Sequence, residues 1–212
     1  MEYTRWDNID KSTEIFLNDN DYAVYDDIVD QELATKVYKT LLDPFFPWYL
    51  SRTLYTVPIE EMYDAKNKYD NLKEYIQFVH TFFDDNKGAD TTANSAYTEL
   101  SIDILQKFLN RFLIDKIELF RCKANFQTQH GSNDPSLHNT PHRDMQRVHI
   151  VMLYYVNDSD GDTILFKDDK EFARISPKQG RILLFKGSLL HSGAHPYKSD
   201  ARLVINYNFN LK

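Results

Sequence analysis

The sequence predicts antiparallel sheets that close into a sandwich or barrel, with helices covering one outer face. Three observations carry this. After residue 116 the chain holds five short segments rich in β-branched and aromatic residues, with polar turns and no helical stretch between them. Before residue 116, apolar residues recur at helical spacing. With 14 Phe, 14 Tyr and 2 Trp in 212 residues, there is enough bulk to fill a β-rich interior.

Taken in order, "DQELATKVYKTLL" offers Asp30 as a cap and spaces Leu33, Val37 and Leu41 by four, which predicts a helix. "NLKEYIQFVHTFF" opens on Asn71 and Glu74, an Asn variant of the capping box. It puts Leu72, Ile76, Val79 and Phe83 on one helical face and places His80 inside that helix as a structural or solvated residue. "DDNKGADTTANS" is a polar loop, and "SIDILQKFLNRFL" repeats the helical pattern through Leu105, Phe108, Leu109 and Phe112. The strands follow as "KIELFRCKANF", "RVHIVMLYYVN", "DTILF", "RILLF" and "RLVINYNF". The organisation expected is one domain over 1–212, with 1–115 as a mostly helical support and 116–212 as the strands that carry the site.

Composition excludes several classes. The lone Cys122 forbids an intrachain disulfide and reads as a buried thiol, which fits a reducing, cytoplasmic setting. The N-terminus shows no secretory pattern and no apolar run approaches a membrane span, so no membrane is expected. Residues 1–34 hold ten acids against two bases, a local net of −8, which leaves +1 for the other 178 residues. That leader is either a solvated stretch or a docking surface for a basic partner. No dense run of Lys and Arg points to nucleic acid.

The chemistry concentrates in "TPHRDMQRVHIVMLYYVND". Residues i and i+2 of an extended segment project from one face, so His142 and Asp144 can converge on one ion, and Pro141 keeps Thr140 out of helical space. A third ligand lies 47 residues beyond Asp144, where "RILLFKGSLLHSGAHP" reads as a strand delivering His191 at its far end. Two imidazoles and a carboxylate form the facial set of non-haem iron(II) oxygenases, which leaves coordination positions open. Gly193 and Pro196 argue against a helix that would enlist His195, and Pro141 does the same for His138. On the last strand, Arg202, Val204, Asn206 and Asn208 share one face and Leu203, Ile205, Tyr207 and Phe209 the other. An inward Arg202 is costly unless an anion meets it. Arg147, His149, Val151, Leu153 and Tyr155 likewise share a face, where His149 is either packed or turned to substrate.

The combination of "PHRD", "LYYVNDSDGDTILF", "ISPKQGRILLFKGSLLHSGAHP" and "RLVINYNF", over residues 120 to 210, resembles the iron(II)- and 2-oxoglutarate-dependent oxygenases of the prolyl 4-hydroxylase-like superfamily. The resemblance implies a mainly β fold, a double-stranded β-helix (jelly-roll) core with N-terminal helices packed on one face. It implies His142, Asp144 and His191 as Fe(2+) ligands and catalytic centre. It implies that Arg202 pairs with the distal carboxylate of 2-oxoglutarate, that Tyr155 donates to that carboxylate, and that Thr163 and Asn206 line the cosubstrate pocket. It further implies O2 as co-reactant, succinate and CO2 as products, and ascorbate as a stimulant to be expected. The implied substrate is a prolyl residue of a protein or peptide, with a small metabolite or free amino acid as the alternative and a cupin-like metal-binding module as the non-catalytic one. Gly161 stands alone in "DGDT" where the family carries Gly-Gly. Residues 127–140 occupy the place of an element that closes over substrate. Nucleobase-repair relatives carry a second Arg where this chain has Asn208. The kinase-like "HRDM" fails because position 149 is His and no GxGxxG is present.

Overall fold

The computed structural model describes residues 21–51, 76–85, 95–129 and 131–212. Its elements are β1 (Tyr22–Tyr25), α1 (Gln31–Leu41), β2 (Tyr49–Ser51), β3 (Gln77–Asp84), α2 (Thr98–Arg111), β4 (Ile117–Thr128), β5 (Ile150–Tyr155), β6 (Thr163–Lys167), β7 (Lys170–Ile175), β8 (Ile182–Lys186), β9 (Leu190–Gly193) and β10 (Ala201–Leu211). A seven-stranded antiparallel sheet runs in the order β1-β8-β5-β10-β4-β3-β2, and a three-stranded sheet runs β7-β6-β9. This is the double-stranded β-helix architecture expected from the sequence.

The central strands β5, β8 and β10 of the large sheet are buried on both faces, and strand alternation sorts their residues. Leu203, Ile205, Tyr207 and Phe209 of β10 join Cys122, Ala124, Met152 and Tyr154 in one core, against Leu33, Val37 and Leu41 of α1 and Ile104, Leu105 and Phe108 of α2. Val151, Leu153, Tyr155 and Val204 face the other way, against Leu165, Leu183 and Phe185. The helices therefore seal one outer face, and the space between the two sheets is left for the site. Asp30 caps α1 by accepting from the Leu33 amide at 2.9 Å, and the Tyr207 hydroxyl donates to the Ser101 carbonyl at 2.8 Å, tying sheet to α2. Cys122 is buried, and burial pushes its thiol up to about 12.

Several expectations need correction. Residues 77–84 form a strand, not the second helix. Ile76, assigned to the buried helical face, is 53% exposed, while Phe82 is fully buried; β3 is held by pairing with β4 from Phe78↔Phe126 to Asp84↔Arg121. Leu72 and the capping residues lie outside the described residues, as does most of the polar loop 84–95. His80 is structural but sits in β3, bonded to the Pro47 carbonyl at 2.8 Å and Ser95 Oγ at 2.7 Å. The 1–115 segment is more than helical support, since β1, β2 and β3 extend both edges of the large sheet. "RILLFKGSLLHSGAHP" is two strands rather than one. β8 ends in a turn closed by the Leu189 amide on the Lys186 carbonyl at 3.0 Å, and His191 lies on β9, in the other sheet.

The acidic leader is partly spent on folding. Asp26 pairs with Arg181 at 2.8 Å and Lys178 at 3.2 Å, Asp21 pairs with Lys186, and Asp30 pairs with Lys107 at 2.7 Å. Two of these pins hold edge strand β1 against β8, so Asp21 and Asp26 are not free to steer a basic partner. Among the described residues, no helix is long and apolar enough to cross a membrane.

Candidate metal and cosubstrate site

His142 reaches the site from an isolated bridge rather than a full strand. Its amide donates to the His191 carbonyl and the His191 amide returns the bond, both at 3.0 Å. Backbone pairing thus sets the two imidazoles side by side, with ring centroids 4.7 Å apart. Asp144 completes the group, and one ligating atom from each residue lies within 4.8 Å of the others. Among the described residues this is the only such grouping. Metal bonds to N and O near about 2.1 Å set two ligands of a facial set about 3 Å apart. The three side chains therefore converge on one point and would draw inward to share one ion.

Their outer partners prepare them for that ion. His142 Nδ1 contacts the Thr140 carbonyl at 3.1 Å and His191 Nδ1 the Leu189 carbonyl at 3.4 Å. Assigning the ring proton to Nδ1 on this basis leaves each Nε2 lone pair for a metal. Burial lowers the pKa of both imidazoles, that of His191 to about 3, so both are neutral at pH 7. Burial opposes ionisation of Asp144, but Arg121, the two imidazoles and Asn206 outweigh it and hold its carboxyl well below the usual range. Arg121 Nη2 donates to Oδ1 at 2.7 Å, while Asn206 Nδ2 and Asn208 Nδ2 donate to Oδ2 at 2.9 and 3.0 Å. A carboxylate offers about four lone-pair positions. Three are taken by protein donors, which leaves one.

Arg202 is buried, as its phase on β10 predicted. Its Nε donates to the Gly161 carbonyl at 2.7 Å, Nη1 to Gln127 Oε1 at 3.0 Å and Nη2 to Thr163 Oγ1 at 2.8 Å. Guanidinium has five N–H donors, so one remains on each terminal nitrogen. Among the described residues no carboxylate lies within salt-bridge distance of it. Tyr155 is fully buried and donates its hydroxyl to Thr163 Oγ1 at 2.7 Å, so it stands behind Thr163 rather than in the cavity. Because Thr163 Oγ1 accepts from both Tyr155 and Arg202, its own proton is left to donate into the cavity it lines.

One cavity, partly open to solvent, joins these parts. His142, Asp144 and His191 line one part of it, Thr163 and Arg202 another, and Leu153 and Val204 supply apolar wall. Gln127, Lys123, Asn125 and Gln77 also line it, and sequence reasoning passed over all four, together with Arg121 and Asn208 as partners of Asp144. The missed signal was the alternation on β4, where Arg121, Lys123, Asn125 and Gln127 share one face. Lys123 stands there at a pKa brought down to about 8 by burial and the charge of Arg121, with Asp144 and Asp84 acting the other way.

His138 and His195 stay apart from the cluster. His138 Nδ1 meets the Asn139 carbonyl at 2.7 Å and His195 Nε2 meets Asn139 Oδ1 at 2.9 Å. His149 is buried and does not line the cavity. Its ring lies so close to Gly187 that a Cβ there would come within 2.3 Å of it. Segment 127–140 is anchored at both ends, by β4 and by the pairing of His138 and Asn139 with Ala194 and Gly193. The Pro135 carbonyl also accepts from Arg174 at 3.3 Å.

Residues 126–210 match the 2OG-Fe(II) oxygenase superfamily. No curated protein matches the sequence. Among solved structures, a prolyl hydroxylase from Trichoplax adhaerens, in complex with a hypoxia inducible factor oxygen degradation domain peptide fragment, aligns at TM-score 0.56 and 15% identity. The alignment covers 91% of this chain and 84% of that one. A viral collagen prolyl hydroxylase from Paramecium Bursaria Chlorella virus-1 aligns at 0.52 and 14%, over 91% and 97%. The alpha ketoglutarate dependent epimerase SnoN from nogalamycin biosynthesis aligns at 0.51 and 12%, over 90% and 78%.

Proposed function

We propose that this chain, whose residues 126–210 match the 2OG-Fe(II) oxygenase superfamily, is such an oxygenase, that His142, Asp144 and His191 hold Fe(2+), and that Arg202 and Thr163 take the distal carboxylate of 2-oxoglutarate. The proposed reaction is hydroxylation of a substrate C–H bond, with a prolyl residue of a peptide or protein as the substrate. The observation that carries this is one cavity holding both a converged His-Asp-His set and a buried guanidinium with two unused donors. Iron(II) with 2-oxoglutarate and O2 supplies, when bound, oxidative decarboxylation to succinate and CO2 coupled to oxidation of that C–H bond.

The chain's own residues do the positioning. Arg121, Asn206 and Asn208 hold Asp144 ionised and fixed in rotation, so it meets the metal through the position they leave open. The Nδ1 contacts of His142 and His191 orient each ring. Gln127, Thr163 and Gly161 aim the fork of Arg202 in advance, and Tyr155 supports the reading through Thr163. Leu153 and Val204 keep that part of the cavity dry, which strengthens each polar contact within it.

The prolyl assignment is supported by the two prolyl hydroxylases of like fold, one of them with a peptide bound. SnoN, an epimerase of like fold, marks the other branch, a small-molecule substrate. Incubating the iron-loaded protein with 2-oxoglutarate, O2 and peptide libraries, then seeking products with one added oxygen by mass spectrometry, tests the reading. Ascorbate is varied as a separate arm. Oxygen on proline, dependent on 2-oxoglutarate, is the expected result. Oxidation confined to non-prolyl or small-molecule substrates would overturn the prolyl assignment.

A further inference from the structure

The inner face of β4 carries four polar residues, and the site described above uses only the two at its ends. Across β10 the register pairs Arg121 with Asn208, Lys123 with Asn206, Asn125 with Val204 and Gln127 with Arg202. Arg121 is committed to Asp144 and Gln127 to Arg202. Lys123 and Asn125 lie between those ranks, on the floor of the same cavity. Among the described residues, no carboxylate is within salt-bridge distance of the Lys123 ammonium and no hydrogen bond holds it. Asn125 has a buried Oδ1 without a partner.

Charge bookkeeping in the cavity points to what is missing. Asp144 is matched by Arg121 and by the metal, and the distal carboxylate of 2-oxoglutarate is matched by Arg202. Its other carboxylate would be matched by the metal. With Arg202 so matched, Lys123 remains, among the described residues, the one cavity cation without a carboxylate in salt-bridge distance. Its ammonium lies partly buried in the cavity, and a partly buried charge is costly unless paired. We propose that Lys123 is a substrate-recognition residue that receives a carboxylate carried by the substrate, with Asn125 accepting a substrate N–H beside it. This rests on the oxygenase reading above and narrows its substrate to one bearing an acidic group near the oxidised carbon. That group is either the free carboxylate of an amino acid or chain end, or an acidic side chain next to the reacting residue. It runs against a basic segment entering the pocket.

The test uses the iron(II)-loaded full chain saturated with 2-oxoglutarate and kept free of O2, so that binding is read without turnover. Calorimetry compares N-acetyl-L-proline with N-acetyl-L-prolinamide, acetyl-Pro-Asp-amide with acetyl-Pro-Asn-amide, and N-acetyl-L-leucine with its amide. The first and second pairs separate a terminal carboxylate from a side-chain one. The third removes proline. In at least one pair the acid should bind about tenfold or more tighter than its neutral match, since losing one partner of a desolvated charge pair costs at least that much. Lys123→Gln should erase the difference and Lys123→Arg should retain it, with thermal unfolding of both variants confirming the fold. An acid preference in the leucine pair alone would keep the inference and overturn the prolyl substrate. Failure of 2-oxoglutarate itself to bind the parent would overturn the oxygenase reading, and this inference with it. Acid and amide binding alike, or not at all, overturns the inference. So does a tenfold loss of 2-oxoglutarate affinity in Lys123→Gln with the acid preference intact, which would assign Lys123 to the cosubstrate.

Discussion

Replacing Arg202 is the sharpest probe of how the cavity recognises its cosubstrate. Three of its five donors are tied to Gly161, Gln127 and Thr163, so the guanidinium is fixed before any ligand arrives. Arg202→Ala removes the proposed charge partner of the cosubstrate carboxylate, an expected loss of about 2–5 kcal/mol. At about 1.4 kcal/mol per tenfold, 2-oxoglutarate affinity should fall by about 30-fold to several thousand-fold. Tyr155→Phe should cost less, because its hydroxyl acts through Thr163. Gly161→Ala supplies an independent route to the same effect: a Cβ there would sit 2.9 Å from Arg202 Cδ and 2.9 Å from the Ala194 carbonyl, so the arginine must shift. The assay is anaerobic calorimetric titration of 2-oxoglutarate into iron-loaded protein. It is paired with thermal unfolding, where about 100 Kd of ligand should stabilise the parent by about 2.7 kcal/mol. An Arg202→Ala affinity within about threefold of the parent, far short of the smallest loss expected, would falsify the assignment.

The clamp on Asp144 makes a second prediction: Arg121→Gln should weaken iron binding by about 10–100-fold while leaving the three ligands in place, as read by competition against a chelator. Unchanged iron affinity would mean that the 2.7 Å contact is incidental. The third concerns pH. His142, His149 and His191 have folded pKa values depressed below 6.5 by burial, His191 to about 3. Groups that bind fewer protons when folded stabilise fully above the unfolded value and lose that contribution as pH falls through the folded one. Metal-free protein should therefore lose stability from pH 6.5 downward, seen as a falling urea midpoint, and His191→Gln should flatten the slope. A midpoint constant down to about pH 5 would contradict buried neutral imidazoles.

The chemistry-bearing strands were legible because residue type and period agreed. On β10, Arg202, Asn206 and Asn208 fall on one face and Leu203, Ile205, Tyr207 and Phe209 on the other, with Val204 the one apolar residue on the polar face, and a strand buried on both faces can satisfy that pattern in only one phase. The pairing of His142 with His191 was not legible as a backbone bridge, because it depends on a contact 49 residues apart. Residues 77–83 misled because Ile76, Val79 and Phe83 fall at helical spacing. Pairing with β4 overrode that local pattern, and the aromatic residues around His80 pack as a strand face. Strand β7 went unseen because "KEFARI" is polar along much of its length, as an edge strand can be. Strands β1 and β2 have four and three residues, too short for any period to show. The functional stripe on β4 was visible as Arg121, Lys123, Asn125 and Gln127 alternating with Phe120, Cys122, Ala124 and Phe126. Its meaning depended on knowing that the partner strand was β10.

The central claim, that His142, Asp144 and His191 together hold the metal, is tested most directly by measuring bound iron(II) and 2-oxoglutarate-dependent succinate formation in single alanine variants. His142→Ala, Asp144→Ala and His191→Ala should each lose both. His138→Ala and His195→Ala, whose rings are engaged with Asn139 instead, should keep iron near the parent stoichiometry. Loss of iron in His195→Ala with full retention in His191→Ala would contradict the account.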